Sequence, residues 1–402
     1  MIASLRTEKL SNIADLNPSL AERLCSDAPV SFVPMSAVTA ETASTTNGED
    51  RRYCDVSKGY TPFLDGDLLV AKITPCFENG KIAQATLTHR VGFGSTEFHV
   101  IRPKPDKADA RYLLHYLRQE RIRRDGECKM TGSAGQRRVP EHFLAGLEVP
   151  LPSLPKQRRI AEILDRVGAL RAKRRAALAQ LDTLTQSIFL DMFGDAGENS
   201  KQWPIRRICE YVAEFQGGKS LEAEAGENVV SRNYVLKISA VTGMIFLASE
   251  CKPVPDTYDP PLDHFVRRGD LLFSRANTTE LVGAVAYVDN APKNLLLPDK
   301  LWRFVWRQPV SVEPLFVWAL FQTPALRREI ERRATGTSGS MKNISQEKVF
   351  GIRTIVPPLS IQRDFASRLA QLEKSRSANR SSYAELNALF SSLQHRAFRG
   401  EL

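Results

Sequence analysis

The chain repeats itself once, at a spacing of about 204 residues. Ser-Ala-Val-Thr at residues 36–39 returns at 239–242, and Gly-Asp-Leu-Leu at 66–69 returns at 269–272. Later matches relate Pro152 to Pro357, Gln157 to Gln362 and Phe193 to Phe398. Because the offset drifts only from 203 to 205, the two halves are expected to share one organisation and to present two similar surfaces to one elongated partner.

The composition bears on what such a duplicated chain binds. A formal net charge of +10, from 56 Lys and Arg against 46 Asp and Glu, favours a polyanionic partner, most simply nucleic acid. A generally basic surface is the alternative. The six cysteines form no CxxC pair, which argues against zinc and favours a reducing compartment. Without an apolar leader or a run of about 18 apolar residues, we expect a cytoplasmic protein that contacts no membrane.

Each half begins with about 150 residues of mixed character. Short apolar runs at 68–71 and 271–273, each preceded by a Gly-Asp turn, predict strands. Helical stretches follow at about 110–124 and 314–333. The mixture predicts an α+β fold for both regions.

A proline cluster, at residues 150–155 and again at 357–358, separates each mixed region from a long helix without proline. The helices are predicted over about 156–193 and 361–399. Apolar residues recur in both at a spacing of three and four, which is typical of a coiled-coil seam. The residues expected to pair the helices are Ile160, Leu164, Val167, Leu178, Leu181 and Ile188 in the first, and Phe365, Leu369, Leu372, Leu386, Phe390 and Leu393 in the second.

Both seams turn polar near the middle, at Arg171 and Arg174 in the first helix and at Arg376 and Asn379 in the second. One interpretation is a weakly packed, solvated waist. The other is a buried polar layer that fixes the helix register, because a slipped alignment would leave polar groups unpaired. The sequence leaves both interpretations open.

Three motifs associated with catalysis fail on inspection. Gln-Gly-Gly-Lys-Ser at 216–220 resembles the end of a phosphate-binding loop, but Ala213 stands where glycine is required, so we expect a turn. Asp-Pro-Pro-Leu at 259–262 lacks the final aromatic residue that amino-methyltransferases stack on a flipped base, so we expect a surface turn. A nuclease-like spacing of carboxylates and lysine at 105–129 is too loose to predict a two-metal centre. We therefore predict no catalytic centre, metal or cofactor in this chain.

A segment of small, polar and basic residues precedes each long helix. Its glycines allow backbone N–H groups to approach phosphates, its hydroxyls and cations add contacts, and Gln136 and Asn343 have side chains able to read a base edge. An ordinary surface loop is the alternative. The candidate DNA-binding residues are Thr131, Gly132, Ser133, Gln136, Arg137 and Arg138 in the first half, and Thr335, Gly336, Thr337, Ser338, Lys342 and Asn343 in the second.

A second pair of candidate DNA-binding positions follows the apolar strands. Lys72 leaves the first strand, and Arg275, Asn277 and Thr278 leave the second. An exposed strand end explains them about equally well. The halves agree in framework and differ in these side chains, as expected if each reads a different base sequence.

Over nearly its whole length the chain resembles the specificity subunits of type I restriction–modification systems. The most specific elements are Leu-Pro-Ser-Leu-Pro-Lys-Gln-Arg-Arg-Ile-Ala at 151–161, Val-Pro-Pro-Leu-Ser-Ile-Gln at 356–362, and the closing Arg-Ala-Phe-Arg-Gly-Glu-Leu at 396–402. Asp364 and Phe365 depart from the first helix opening, a change that the family tolerates.

The resemblance implies two pseudo-symmetric α+β target-recognition domains, residues 1–152 and 201–356. Spacer helices in 153–200 and 357–402 form an antiparallel coiled coil between them. Each domain reads one half of a split double-stranded DNA target. Two modification (methyltransferase) subunits, which carry S-adenosylmethionine, and restriction subunits, which use ATP and Mg, join this non-catalytic chain. One alternative is the specificity chain of another bipartite restriction enzyme or phage-defence complex. A second alternative is a fused methyltransferase–nuclease, but that enzyme would need a cofactor loop and an aromatic tetrapeptide, and this sequence has neither.

Overall fold

The computed structural model describes residues 6–21, 24–46, 49–133, 135–219, 231–338 and 341–402. The chain forms two compact units. Unit 1 combines residues 1–178 with 378–402, and unit 2 contains residues 179–377. Each unit therefore holds one mixed region, the first part of one long helix and the last part of the other.

Unit 1 is an assembly of short strands and helices. Its strands are β1 (Thr7–Lys9), β2 (Ala14–Leu16), β3 (Pro29–Val33), β4 (Val38–Thr39), β5 (Ser44–Thr45), β6 (Glu49–Arg52), β7 (Thr61–Leu64), β8 (Leu68–Ala71), β9 (Ile82–Gln84), β10 (Val91–Gly94), β11 (Phe98–Pro103) and β12 (Glu148–Pro150). Its helices are α1 (Leu10–Ile13), α2 (Tyr53–Val56), α3 (Ala110–Leu117), α4 (Glu120–Lys129), α5 (Glu141–Ala145) and the first part of α6 (Leu154–Phe193), with a 3₁₀ turn at Met35–Ala37. The sheets run β2-β11-β8-β9-β5-β4, β6-β3-β10-β7 and β1-β12.

Unit 2 has a related set of elements. Its strands are β13 (Ile205–Arg207), β14 (Val212–Gly217), β15 (Tyr234–Leu236), β16 (Cys251–Pro253), β17 (Leu271–Ser274), β18 (Ala276–Asn277), β19 (Val285–Tyr287), β20 (Leu295–Leu296), β21 (Leu301–Trp306), β22 (Thr335–Ser338), β23 (Met341–Asn343) and β24 (Arg353–Ile355). Its helices are α7 (Ser239–Thr242), α8 (Pro314–Phe321), α9 (Pro324–Arg333), α10 (Gln346–Phe350) and the first part of α11 (Leu359–Ala397), with 3₁₀ turns at Ile208–Glu210 and Leu262–His264. The sheets run β14-β21-β17-β19, β16-β15-β20, β13-β24 and β18-β23-β22.

The repeat is visible in the strand pairing. In unit 1, β8 lies between β11 and β9 and is antiparallel to both. In unit 2, β17 lies between β21 and β19 in the same way. Both central strands are fully buried, so continuous apolar runs rather than alternating ones form them. The α+β prediction is confirmed.

The Gly-Asp turns that enter the central strands have one geometry in both units. Gly66 and Gly269 have φ values of 86° and 93°, a region that glycine adopts without steric cost. The Asp67 carboxylate accepts a hydrogen bond from the Leu64 N–H at 2.8 Å, and Asp270 accepts one from the Arg267 N–H at 2.7 Å. The turn chemistry therefore explains why this tetrapeptide recurs.

A buried glutamine ties each mixed region to the start of a long helix. Gln157 in α6 accepts a hydrogen bond from the Asp109 N–H at 2.9 Å and donates to the Pro152 carbonyl at 2.8 Å. Gln362 in α11 accepts from the Glu313 N–H at 2.8 Å and donates to the Pro357 carbonyl at 2.7 Å. The recurrent proline and glutamine are thus two parts of one clamp.

The long helices begin two residues before the predicted positions and end near them. Gly194 follows α6 with φ of 75°, and Gly400 follows α11 with φ of 80°; glycine commonly ends helices in this conformation. Within unit 1, α6 and α11 run antiparallel, because Ile160 lies in one core with Ala397. Within the described residues, no helix is long and apolar enough to cross a membrane.

The predicted seam is buried in the first turns of each long helix and partly buried further along it. Ile160, Leu164 and Val167 are buried in unit 1, and Phe365, Leu369 and Leu372 are buried in unit 2. The remaining predicted residues, Leu178, Leu181, Ile188, Leu386, Phe390 and Leu393, are partly buried. Near the end of α6 the buried residues are Phe189, beside the predicted Ile188, and Phe193. The one-residue difference between the predicted Ile188 and the buried Phe189 arises because a 3.6-residue helical period drifts against a strict 3.5-residue repeat.

The polar positions of the seam form specific contacts. In unit 1, Arg171 Nε donates to Asn387 Oδ1 at 2.6 Å, and Arg174 Nη1 donates to Asn379 Oδ1 at 2.6 Å. The Arg171 guanidinium also stacks 4.4 Å from the ring centroid of Phe390. In unit 2, Arg376 donates to the Leu181 carbonyl at 2.9 Å. These contacts favour the register interpretation, which stays a prediction.

A phenylalanine at or just beyond the end of each long helix packs on aromatic residues of its unit. In unit 1, the Phe398 ring centroid lies 5.2 Å from that of Tyr112 and 5.3 Å from that of Tyr116. In unit 2, Phe193 lies 4.8 Å from Phe316 and 5.3 Å from Phe365. Phe193 and Phe398, singled out by the repeat, therefore occupy equivalent sockets.

An ionic cluster lies beside the socket of unit 1. Arg111 Nε donates to Asp165 Oδ2 at 3.1 Å, and His115 Nε2 lies 2.8 Å from Asp165 Oδ1. Burial of the Asp165 carboxylate opposes its ionisation, but the hydrogen bonds from His115 and Arg111 outweigh burial and lower its pKa to about 2. The cluster joins α3 to α6.

The structure refines one local prediction and corrects another. Both stretches predicted to be helical are helical, and each is divided into two helices, α3 and α4 in unit 1 and α8 and α9 in unit 2. The expected turn at 216–220 begins as strand, since Gln216 and Gly217 end β14. Gly218 is required there because a Cβ atom would collide with the Leu297 carbonyl oxygen. Ser220 lies outside the described residues.

Candidate nucleic-acid interface

Loop 1, residues 131–138, folds back on itself beside the end of the central strand of unit 1. The Thr131 N–H donates to the Arg138 carbonyl at 3.0 Å, and the Arg138 N–H donates to the Thr131 carbonyl at 2.8 Å. Arg138 also pairs with Ile73, just beyond β8. Loop 1 is therefore a narrow hairpin whose base is fixed to the strand end. Ala134 lies outside the described residues.

Loop 2, residues 335–343, has the same register in unit 2. Asn343 pairs with Thr335 across the hairpin and with Ala276 in β18, just beyond the central strand. Ala276 is the repeat of Ile73, and Asn343 is the repeat of Arg138. In each unit, the predicted segment therefore lies beside the predicted strand end. Residues 339–340 and the side chains of Thr337 and Ser338 lie outside what the structure describes.

Glycine is needed at the same place in both loops. Gly132 has φ of 126°, and a Cβ atom there would lie 2.8 Å from the Gln136 carbonyl oxygen. Gly336 has φ of 155°, and a Cβ atom there would collide with the Met341 carbonyl oxygen. Both hairpins therefore close too tightly for a side chain at this position.

An ion pair supports each loop, but the cation comes from a different segment. In unit 1, Arg138 of the loop donates to both oxygens of Glu97, with Nη2–Oε1 at 2.7 Å and Nε–Oε2 at 2.9 Å. In unit 2, Arg275 of the strand end donates from Nη2 to Asp299 Oδ2 at 3.3 Å and from Nε to the Asp299 carbonyl at 2.9 Å. Arg138 and Arg275 are thus held by carboxylates.

The carboxylate partners were not predicted from the sequence. Glu97 lies one residue before β11 and Asp299 lies two residues before β21, the long strands next to the central ones. The hydrogen bond from Arg138 outweighs burial and lowers the pKa of Glu97. The repeat did not identify them, because the strand register makes Lys300, rather than Asp299, the counterpart of Glu97.

The remaining candidates of unit 1 point outward or lie half-buried. Thr131, Gly132, Ser133 and Gln136 are exposed, and Arg137 and Lys72 are half-buried. Among the described residues, neither the Lys72 ammonium nor the Arg137 guanidinium has a hydrogen-bond or ion-pair partner. These groups are chemically able to contact phosphates or base edges.

The candidates of unit 2 are more engaged with one another. Asn277 Nδ2 donates to Thr242 Oγ1 at 3.3 Å, and Asn277 Oδ1 accepts from the Thr278 N–H at 2.9 Å. Lys342 Nζ donates to the Gly336 carbonyl at 2.8 Å. Thr278 and Thr335 are exposed, and Asn343 is half-buried. Loop 2 consequently offers more hydroxyl and amide groups than free cations.

Known proteins with a related sequence or fold share one role. The family model "Type I restriction modification DNA specificity domain" matches residues 42–180. The EcoEI specificity subunit of Escherichia coli is 27% identical over 462 residues, which cover 91% of this chain and 77% of that protein. The EcoAI specificity subunit of Escherichia coli is 41% identical over 152 residues, which cover 38% of this chain and 26% of that protein. The family model and these relatives all support a specificity subunit of a type I restriction–modification system. A chain in a solved structure of a type I restriction–modification system has the same fold, with a TM-score of 0.59, 19% identity, and coverage of 100% of this chain and 99% of that one.

A specificity subunit is the non-catalytic, DNA-recognising member of its complex. The motifs rejected from the sequence lie in ordinary secondary structure. Gln216 and Gly217 belong to β14, and the Asp-Pro-Pro-Leu segment leads into a 3₁₀ turn with Leu262 81% exposed. Within the described part of the specificity subunit, no three His, Cys, Asp or Glu side chains cluster to hold a metal ion.

Proposed function

We propose that this specificity subunit reads a bipartite double-stranded DNA target, with one half-site read by each mixed region. The observation that carries the proposal is the shared register of loops 1 and 2 beside the two central strands. A shared frame that carries different side chains at equivalent positions suits two readers of different base sequences. The proposed boundaries are 1–152 and 201–356 for the recognition domains, with the spacer helices in 153–200 and 357–402.

In the first recognition domain, Ser133, Gln136, Arg137 and Lys72 are proposed to contact DNA. The exposed Gln136 amide is suited to a bidentate contact with adenine, and the free cations are suited to phosphates. Arg138 is proposed to hold loop 1 in place through Glu97 rather than to read a base.

In the second recognition domain, Thr278, Asn343 and the hairpin hydroxyls are proposed to contact DNA. Arg275 has the positioning role there, because its guanidinium is held by Asp299. The half-buried Asn343 amide lies at the junction of β18, β22 and β23, which restricts its orientation. The second half-site is therefore expected to be read mainly by neutral groups.

The spacer helices are proposed to dock two copies of a methyltransferase subunit in a cytoplasmic complex that restriction subunits join. Leu184 is 40% exposed and Leu389 is 46% exposed, and the 205-residue offset relates them. Equivalent exposed leucines on the two helices suit two copies of one partner. S-adenosylmethionine, ATP and Mg are assigned to the partner subunits. In native mass spectrometry, L184E and L389E are each expected to remove one methyltransferase copy, and loss of neither would contradict the docking site.

Methylation mapping tests the two-reader proposal. Residues 1–152 are exchanged for those of a relative with another target, and methylated sites are sequenced in cells that express the chain with its methyltransferase subunit. One half of the target is expected to change while the other half and the spacing persist. Exchange of residues 201–356 is the matched control and must change only the other half. Changes in both halves after either exchange would contradict the proposal.

A further inference from the structure

A two-stranded ribbon of unit 2 carries an unusual concentration of arginine. Strands β13 and β24 pair antiparallel so that Arg207 lies directly opposite Arg353, and Arg206 precedes Arg207 on the other face of the ribbon. All three side chains are exposed. Among the residues that the structure describes, no carboxylate forms an ion pair with any of the three guanidinium groups. We call these residues the arginine ribbon.

The equivalent ribbon of unit 1 has balanced charges. Strands β1 and β12 pair in the same way, but there Lys9 lies directly opposite Glu148. Glu8 occupies the place of Arg206 and pairs with Arg6 at 2.6 Å. Like charges directly opposite each other across two strands are destabilising, whereas opposite charges stabilise. The arginines therefore belong to unit 2 alone and are not needed for the shared fold.

The asymmetry identifies the kind of partner that the arginine ribbon fits. A protein subunit that docks in the same way on both units would meet arginines on one ribbon and carboxylates on the other. DNA does not have to contact the two ribbons in the same way, because each half-site makes its own set of contacts with the protein. An anionic backbone would also relieve the repulsion between Arg207 and Arg353.

The two loops supply a reason for extra cations in unit 2. Arg137 of loop 1 and Lys72 of the adjacent strand end have no hydrogen-bond or ion-pair partners among the described residues. In loop 2, by contrast, Lys342 donates to the Gly336 carbonyl, and the nearby Arg275 is held by Asp299. Phosphate contacts provide most of the sequence-independent affinity for DNA, and they require cations. To make phosphate contacts with DNA, unit 2 therefore needs cations that lie outside loop 2.

We propose that Arg206, Arg207 and Arg353 bind phosphates of the DNA backbone next to the second half-site. The arginine ribbon adds affinity without contributing to the choice of bases. This inference rests on the proposed function, since it requires unit 2 to lie on DNA.

The test compares R206Q/R207Q/R353Q with the unaltered chain, each assembled with its partner subunits. The dissociation constant for a duplex with the mapped target is measured against KCl concentration. The slope of log Kd against log salt is expected to fall by about 2 to 3, since each lost phosphate contact removes about 0.9. The mapped methylation target is expected to stay unchanged. The lysine variant R206K/R207K/R353K should retain most of the slope, and K9Q in unit 1 should not alter it.

An unchanged slope in R206Q/R207Q/R353Q would overturn the inference. Loss of a partner subunit in native mass spectrometry, with the slope retained, would assign the ribbon to an acidic protein surface and would also overturn it. Thermal melting checks that the variant folds, and removal of like charges should leave its Tm within a few degrees. Failure of the proposed function is distinguishable, because methylation mapping of the unaltered chain would then show no second half-site.

Discussion

The sockets that receive the ends of the long helices have the same geometry in both units, but they are lined by different kinds of side chain. In unit 2, Phe193 packs among Phe316 and Phe365, and all three rings are completely buried. In unit 1, Phe398 is half-buried and packs on Tyr112 and Tyr116. The hydroxyls of both tyrosines donate to backbone carbonyls at 2.7 Å. One socket is apolar, and the other combines ring packing with hydrogen bonds.

The neighbouring positions extend this difference. The Arg111–Asp165–His115 cluster of unit 1 has Leu315, Ala370 and Ala319 as its repeats in unit 2. Unit 1 therefore holds its helix junction partly through an ion pair and hydrogen bonds, whereas unit 2 does so through apolar packing. The repeat preserves where backbones and rings lie and permits their chemistry to change. The same holds for the loops, where the cation of the supporting ion pair changes segment.

The largest expected difference comes from truncating the two phenylalanines. F193A removes a completely buried ring and is expected to cost about 3–5 kcal/mol of unfolding free energy in unit 2. F398A removes a half-buried ring and should cost about 2 kcal/mol in unit 1. Urea denaturation followed by hydrogen exchange, resolved by unit, measures both. Equal costs would contradict the comparison of the sockets.

The glutamine clamps are expected to show a smaller difference. Gln157 also donates to the Lys107 carbonyl at 3.0 Å, a bond for which no counterpart is described at Gln362. Q157A leaves more buried backbone groups unpaired and should cost about 3 kcal/mol, against about 2 kcal/mol for Q362A. Unfolding of Q186A, which alters an exposed glutamine of α6, serves as the control. A larger cost for Q362A would reverse the order that the hydrogen bonds predict.

Acid should weaken unit 1 before unit 2 through Asp165. Its pKa is lowered to about 2 in the folded chain, against about 3.9 unfolded, so its contribution is complete above pH 4 and is lost as the pH falls to 2. The contribution is about 1–2 kcal/mol, because the carboxylate is one-third exposed. D165N should remove this pH dependence from the unfolding of unit 1 only. A pH dependence that persists in D165N would exclude Asp165 as its source.

The smallest of these effects concerns the ion pair that supports loop 1. E97Q weakens the hold on Arg138 and should reduce affinity for the first half-site about fivefold, which is about 1 kcal/mol. The exchange E97R/R138E restores opposite charges and should recover part of that affinity. Binding is measured with duplexes mutated in one half-site at a time. If Arg138 itself contacted DNA, the exchanged pair would bind more weakly than E97Q.

Periodicity and the repeat predicted the secondary-structure elements that depend only on residues close together in the sequence. Gly-Asp turns, apolar runs and proline-flanked helices depend on neighbouring residues, and all of them formed near the expected positions. The break between α3 and α4 depends on distant groups. The half-buried Arg118 donates to the Ile82 carbonyl at 2.9 Å, and burial lowers its pKa to about 10. No spacing within residues 110–124 contains that information.

The candidate interface was predictable to the same extent. A glycine-rich segment and a polar strand end both recur in the two halves of the sequence. This recurrence predicted the loops and the strand ends that lie beside them. The partner of Arg138 was not predictable, because Glu97 lies 41 residues away in the sequence. Ion pairs across a sheet depend on register, and register appears only once the strands are paired.

The most direct test of the two-reader account alters the loops alone. Methylated sites are sequenced in cells that express the methyltransferase subunit with either Q136A/R137A or T278A/N343A. The account predicts that Q136A/R137A relaxes or abolishes selection in one half of the target and that T278A/N343A does so in the other half, with the spacing unchanged. If both variants affected the same half, or if either left selection in both halves intact, the account would be contradicted.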